Sequence, residues 1–242
     1  IVVEPLNLAL SALTTLTRFW AGWRGGAAQA PARPIVLYEF EGCPFCRVAR
    51  EAVSALQLSA DIRPCPKGGT HYRPEAVRLG GRRQFPYLVD PNTETRMYES
   101  ADIARYLYST YGKRPAPIRL APGLSALNAL YSSLSLLPRL LFGQISYGRK
   151  SKVERPLELW AVEGGPRARL LREVLCALEI AIAARALTVS GSLGAMTFSA
   201  ALPSGRSVSA ITVRSSALAQ SLLARRRLTS CNDVIRLRNS RM

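Results

Sequence analysis

The stretch IVLYEFEGCPFCRVAREAVSAL, residues 35–56, decides the fold. Five of its first six residues, all but Glu39, are apolar, aromatic or β-branched, the composition of a short strand. Gly42 breaks the run. From Pro44 onward apolar residues return at helical spacing, at Val48, Ala52, Val53 and Leu56. Pro44 suits the first helical position, where a missing N–H costs no hydrogen bond. Cys43 and Cys46 stand where the strand gives way to the helix.

The signals continue to alternate downstream. ADIRPCP (60–66) is a short strand ended by KGG, and HYRPEAVRLGG (71–81) a short helix stopped by glycines. FPYLVD (85–90) and TRMYES (95–100) are strands joined by the turn sequence PNTE. ADIARYLYSTYG (101–112) is a helix with Ser100 as its expected N-cap and Gly112 just past its end. The order β-α-β-α-β-β-α makes the chain an α/β protein. Its first two strands should run parallel across a helix, and its last two should form a hairpin.

The chain then repeats itself. PLELWAVEGGPRARLLREVLCALEI, from Pro156, matches PIVLYEFEGCPFCRVAREAVSALQL, from Pro34, at ten of 25 positions without a gap. Gly165 and Ala168 stand where Cys43 and Cys46 stood, so thiol chemistry belongs to the first copy. No second FPYLVD or YES follows, and a strand and helix without their remaining strands cannot bury an apolar face alone. The expected division is a helix and linker at 1–33, a complete unit at 34–112, a helical connector at 113–155, a partial degenerate repeat at 156–183, and an irregular, disordered basic tail at 184–242. The helical run EPLNLALSALTTLTRFWAGW (4–23) should pack on the unit that follows. A targeting or membrane-surface segment is its other reading.

With 242 residues there is room for one large or two small domains. The formal net charge is +17, and nine arginines fall from Arg185 to Arg241 against one acid after Glu179, Asp233. Such charge favours anionic partners in general. The tail lacks the aromatic interleaving and motif order of a nucleic-acid reader, so no specific nucleic-acid partner is expected. Five cysteines, odd and sparse, do not make a secreted disulfide framework and point to a reducing compartment. No apolar run of eighteen residues predicts a transmembrane segment.

For Cys43 the chemistry follows from position. At the mouth of a helix its sulfur meets free N–H groups and the positive end of the helix dipole, and Arg47 and Arg50 are expected to add positive charge. All favour the thiolate, the form that attacks disulfides. Cys46, one turn on, is placed to resolve a mixed disulfide. A structural zinc site needs four ligands, and the chain offers one histidine and one CxxC, so no metal is expected. Two buried structural cysteines are the remaining alternative. His71 reads as a surface or capping residue and Cys65 as a small structural one. Pro86 is expected to be cis, so that the Phe85 backbone can pair with a peptide-like ligand. Ser100 and the N–H groups of the last helix suit a carboxylate, and Glu99 an ammonium.

Residues 34–112 resemble the N-terminal thioredoxin-fold domain of glutathione transferases, and CPFC resembles the active-site motif of glutaredoxins. The wider pattern LYEFEGCPFCR, PCPKGG, FPYLVDPNT and MYES is similar to a plant, algal and cyanobacterial family with tandem domains of this type, often plastid-targeted. The resemblance implies a thioredoxin-like fold and glutathione as co-substrate, with disulfide or glutathionylated molecules as partners. It implies Cys43 as nucleophile, Cys46 as resolving thiol, Phe45 lining the thiol site, Phe85 and Pro86 on the cysteinyl part of glutathione, and Glu99 and Ser100 on its γ-glutamyl end. It implies a chloroplast location, with the cytoplasm otherwise. The expected function is glutathione-dependent thiol–disulfide exchange. A conjugating transferase and a non-catalytic glutathione-binding scaffold are the alternatives. Residues 113–155 are too short for the helical domain that gives transferases their electrophile pocket.

Overall fold

The structure, a computed structural model, describes residues 3–19, 21–22, 25–26, 28–148 and 157–185, with the backbone of three short strands between 188 and 208. The first unit runs β1 (Ile35–Glu39), α2 (Pro44–Ala55), β2 (Ala60–Pro64), α3 (Tyr72–Gly80), β3 (Tyr87–Asp90), β4 (Thr95–Met97) and α4 (Ser100–Tyr111), preceded by α1 (Val3–Leu16). β1 and β2 pair in parallel, β1 and β3 antiparallel, and β3 and β4 form the hairpin. Alternation along β1 divides the core. Ile35 and Leu37 join Val48, Ala52, Ile103 and Leu107 of α2 and α4 on one face. Tyr38 packs with Cys65, Ala76 and Tyr87 on the face that α3 covers. This is an α/β, thioredoxin-like arrangement.

The partial repeat does not stand alone. β5 (Leu157–Trp160), α6 (Pro166–Ala177) and β6 (Ile182–Arg185) extend the same sheet, giving the order β4-β3-β1-β2-β6-β5. β2, otherwise an open edge, pairs antiparallel with β6: Ile62 faces Ile182, Asp61 faces Ala183 and Ala60 faces Ala184. An unpaired edge is an aggregation hazard, and the repeat closes it. Leu171 and Leu175 of α6 join the core that holds α2 and α4. The missing strands of the second copy are thus replaced by the first copy as its packing partner.

A pseudo-two-fold axis between Asp61 and Ala183 relates the halves. The parallel register recurs, since Ile35 faces Ala60 as Leu157 faces Ile182. The correspondence reaches beyond the aligned repeat, into the segment expected as a plain connector. Its helix, α5 (Ser125–Leu136), is the counterpart of α1, and each packs chiefly on the other half's helix: α1 on α6, α5 on α2. α1 was expected to pack on the unit that follows it in sequence. The reciprocal bonds show why it crosses over. Ser11 Oγ donates to the Pro166 carbonyl and Ser132 Oγ to the Pro44 carbonyl, both at 2.8 Å. Arg18 donates to Asn128 Oδ1 (3.0 Å) and Arg139 to Asn7 Oδ1 (2.8 Å).

Among the described residues the interface between the halves is rich in buried charge. Arg18 pairs with Glu51, and Arg139 with Glu173. Arg50 binds Glu39, Glu41 and Glu163, while Arg172 binds Glu41 and Glu163. Cys176 belongs to this scaffold. Its thiol donates to the Gly143 carbonyl (3.2 Å) and accepts from the Glu41 N–H (3.4 Å). Ser54 does the same for the Gly22 carbonyl and the Glu163 N–H. Gly22 and Gly143 both take positive φ, at 77° and 68°. A Cβ on Gly143 would fall 2.8 Å from Glu41 Cβ, so the turn after α5 needs glycine for backbone and space alike.

The region expected to be an irregular tail holds the end of β6 and three short strands, β7 (Thr188–Ser190), β8 (Thr197–Ala201) and β9 (Ser207–Val208), in a separate sheet. Thr188, Val189, Thr197 and Phe198 supply β-favouring residues to the first two of them. The expectation of disorder for the rest of 184–242 falls outside the described residues. Among the described residues no helix is long and apolar enough to cross a membrane.

Candidate active site

The CxxC lies at the N-terminus of α2, where strand β1 delivers it. Cys43 is the N-cap residue, with extended backbone (φ −94°, ψ 121°), and its sulfur accepts from the Cys46 N–H at 3.3 Å. Its own N–H donates to the Phe40 carbonyl (3.1 Å), which fixes the turn. Cys43 is 4 % exposed and Cys46 fully buried. The environment drives the two thiols apart. A hydrogen bond from the Cys46 thiol, helped by the Cys46 and Phe45 backbone N–H groups, holds Cys43 below the ordinary thiol value against burial and Glu39. Burial, with the same thiol contact and the charge on Cys43, pushes Cys46 well up. One sulfur is prepared to be thiolate and the other to keep its proton.

Arg47 and Arg50 do not supply the expected charge at Cys43. Both turn into the interface between the halves. Arg47 donates to the Thr14 carbonyl (2.7 Å) and Ser135 Oγ (3.1 Å), and Arg50 is held by its three glutamates. Burial and the facing Arg169 lower Arg47 to about 9. The thiol is tuned by helix-end hydrogen bonds instead.

Phe45 sits on the first turn of α2 and is 47 % exposed; its backbone N–H helps lower the Cys43 thiol. The Phe85–Pro86 peptide bond is cis. The Phe85 ring meets Phe40 edge-on at 6.2 Å, and the Arg73 guanidinium lies 4.8 Å over it. β3 begins only at Tyr87, so Phe85 precedes the ladder. Glu99, not Ser100, is the N-cap of α4, with φ 66° and no side-chain capping bond; Ser100 is the first helical residue and is buried. The serine hydroxyl was expected to close the helix end, but the left-handed glutamate makes that turn. Gly112 caps the far end in extended conformation. The Glu99 carboxylate accepts from Gln84 Nε2. Phe40 thus links the CxxC turn to Phe85, and Gln84 links Phe85 to Glu99.

Two neighbours of the site carry no signal in the sequence. Gln84 is a polar residue in a loop. Gln144 lies about a hundred positions from the CxxC, yet its Nε2 donates to the Gly42 carbonyl (3.1 Å), and its carbonyl accepts from the Lys67 N–H (2.6 Å). The segment after α5 therefore crosses the turn that carries Cys43. His71 caps α3 without a side-chain bond and stacks on Tyr72 at 4.1 Å, while its N–H donates to Glu179. Cys65 is fully buried, and burial pushes its thiol up, out of reactive range.

Comparison with known proteins agrees with this geometry over one part of the chain. The family described as "Glutathione S-transferase, N-terminal domain" matches residues 37–115. No curated protein matches the chain. Among solved structures, the Bombyx mori glutathione transferase BmGSTD1 is similar at 28% identity over 36% of this chain and 39% of its own, with a TM-score of 0.32. The chain thus spans well under half the length of that enzyme. Residues 37–115 are a glutathione S-transferase N-terminal domain with a thioredoxin-like fold.

Proposed function

We propose that this domain is a glutathione-dependent thiol–disulfide oxidoreductase, with Cys43 as nucleophile and Cys46 as resolving thiol. The observation that carries the reading is the split between the two sulfurs: Cys43 at the helix mouth is pushed toward thiolate, and buried Cys46 is held protonated. In the proposed reaction the Cys43 thiolate attacks the glutathione sulfur of a glutathionylated substrate. The substrate leaves as a thiolate that takes a proton from solvent, and Cys43 is left disulfide-bonded to glutathione. A second glutathione thiolate attacks the glutathione sulfur of that bond, releasing oxidised glutathione and restoring Cys43. Alternatively Cys46, once deprotonated, attacks Cys43, releasing glutathione and closing an internal disulfide that two further glutathiones reduce.

Glutathione would lie along Phe85, Glu99 and Ser100. Phe85 precedes the β3 ladder and could add a peptide strand there. The first N–H groups of α4 would face the γ-glutamyl carboxylate, with Glu99 for its ammonium. A conjugating transferase is the second reading, favoured by the family match at 37–115.

The test is glutathione-dependent reduction of a small mixed disulfide by the natural chain, Cys43→Ser and Cys46→Ser, alongside conjugation of an aromatic halide. We expect Cys43→Ser to fall to the uncatalysed background and Cys46→Ser to retain turnover through the two-glutathione route. Conjugation that survives Cys43→Ser, with no disulfide reduction in the natural chain, would establish the transferase reading. Glutathione binding without either activity would leave a scaffold.

A further inference from the structure

We propose that α1 and α5 together form a docking face for an anionic lipid surface, on which the protein lies without spanning it. The two helices are inverted relative to ordinary surface helices. Their polar residues point inward: Ser11, Thr14, Asn128, Ser132 and Ser135 are all buried. Leucines point outward instead: Leu6, Leu127, Leu130 and Leu134 are each more than half exposed, as is Leu137 just past α5, while Leu136 stays in the core. Of the seventeen exposed large apolar residues among those described, twelve come from 3–19 and 125–142, so the apolar surface is one patch rather than scatter. The helices lie side by side and antiparallel, with Arg18 beside Asn128 and Arg139 beside Asn7. Phe19, the most exposed aromatic of the pair, packs against Tyr131 at 6.5 Å and continues the face. A contiguous apolar patch of this kind marks an interaction site.

Charge selects the occupant. The two helices carry one charged residue between them, Glu4. The chain as a whole carries +17, with Arg149, Lys150, Lys152 and Arg155 following α5 in sequence and nine arginines from Arg185 onward. Two such chains brought face to face repel, whereas an anionic bilayer attracts basic segments at about 1 kcal/mol per residue near its surface. Apolar side chains entering the interface add to that attraction. No described helix can span the bilayer, so the helices would lie in its plane. α5 also packs on α2, and the segment after it touches Gly42, so docking would hold the CxxC turn close to the lipid surface.

The experiment is flotation of the full chain with vesicles of phosphatidylcholine alone or with a third phosphatidylglycerol, at low and physiological salt, together with sedimentation velocity without lipid. The natural chain is expected to float with the anionic vesicles and to sediment as a monomer. Leu130→Ser combined with Leu134→Ser, on exposed positions that leave the core intact, should reduce bound protein about tenfold or more at physiological salt while the far-ultraviolet circular dichroism is unchanged. Undiminished flotation of that variant would mean that the basic segments alone bind lipid and would overturn the proposal. So would a dimer that the double substitution dissolves, or failure of a Leu130→Cys thiol to react with a maleimide, which would show the face covered by the chain's own remaining segments.

Discussion

Cys43 owes its character to one neighbour. The Cys46 thiol hydrogen bond is the largest influence lowering it, and no arginine contributes at comparable weight. A hydrogen bond to a charged group favours the charged form. Cys46→Ala is therefore expected to raise the Cys43 pKa, read from the pH dependence of iodoacetamide alkylation at the Cys43 peptide. An unchanged profile would assign the tuning to the helix N-terminus alone. The CxxC, its place before a helix and the cis proline were legible in the sequence because each is a local signature. The direction of Arg47 and Arg50 was not. A side chain one or four positions after Cys46 can turn either way, and here Ser135 and Glu163 of the other half, with Thr14, Glu39 and Glu41 of their own, decided it.

Among the elements, β1 and the loop before α6 carry the acids that set the acid–base behaviour of the fold. Burial raises Glu39 to about 7 despite Arg50. Arg172, Arg50 and Arg169 outweigh burial and lower Glu163 to about 2. The signs differ. Between an unfolded carboxylate value of about 4.5 and about 7, folded Glu39 keeps a proton that the unfolded chain has lost, so stability falls as pH rises through that window. Glu163 contributes stability that is present above about 4.5 and is lost as pH falls toward about 2. Urea unfolding should thus show greater stability near pH 5 than near pH 7.5, and Glu39→Gln should flatten that slope. A rise in stability from pH 5 to 7.5 in the natural chain would contradict the assignment. The strands and helices of the first unit followed from alternation, glycine stops and the turn sequence. The identity of the α4 cap did not, because Glu99 takes a positive φ of 66°, a conformation its own propensity disfavours.

At the scale of the molecule, the second half acts as an edge cover and a set of counter-charges for the first. A chain ending at residue 113 would expose β2, lose α5 from the back of α2, and leave Arg50 without Glu163 and Arg18 without Asn128. Removing one partner of a buried ion pair costs about 3–5 kcal/mol, a large share of a small domain's stability. That truncation is expected to aggregate, or to melt without a cooperative transition, in size-exclusion and calorimetric measurements; a monomer with a sharp transition would show the first unit to be self-sufficient. The sequence by itself determined the thioredoxin-like order, the repeat and its loss of thiols, because hydrophobic period, turn residues and identities are local and can be read along the chain. Only the tertiary structure decided that the halves share one sheet through β2 and β6, that α1 and α5 are exchanged between them, and that the arginines after the CxxC serve the interface. Those outcomes depend on which surfaces meet across more than a hundred residues. Burial then fixes the partners of Arg18, Arg50, Arg139 and Arg172, because an unpaired ion in a dry interface is costly, whereas Arg169 meets Glu41 only at 3.9 Å.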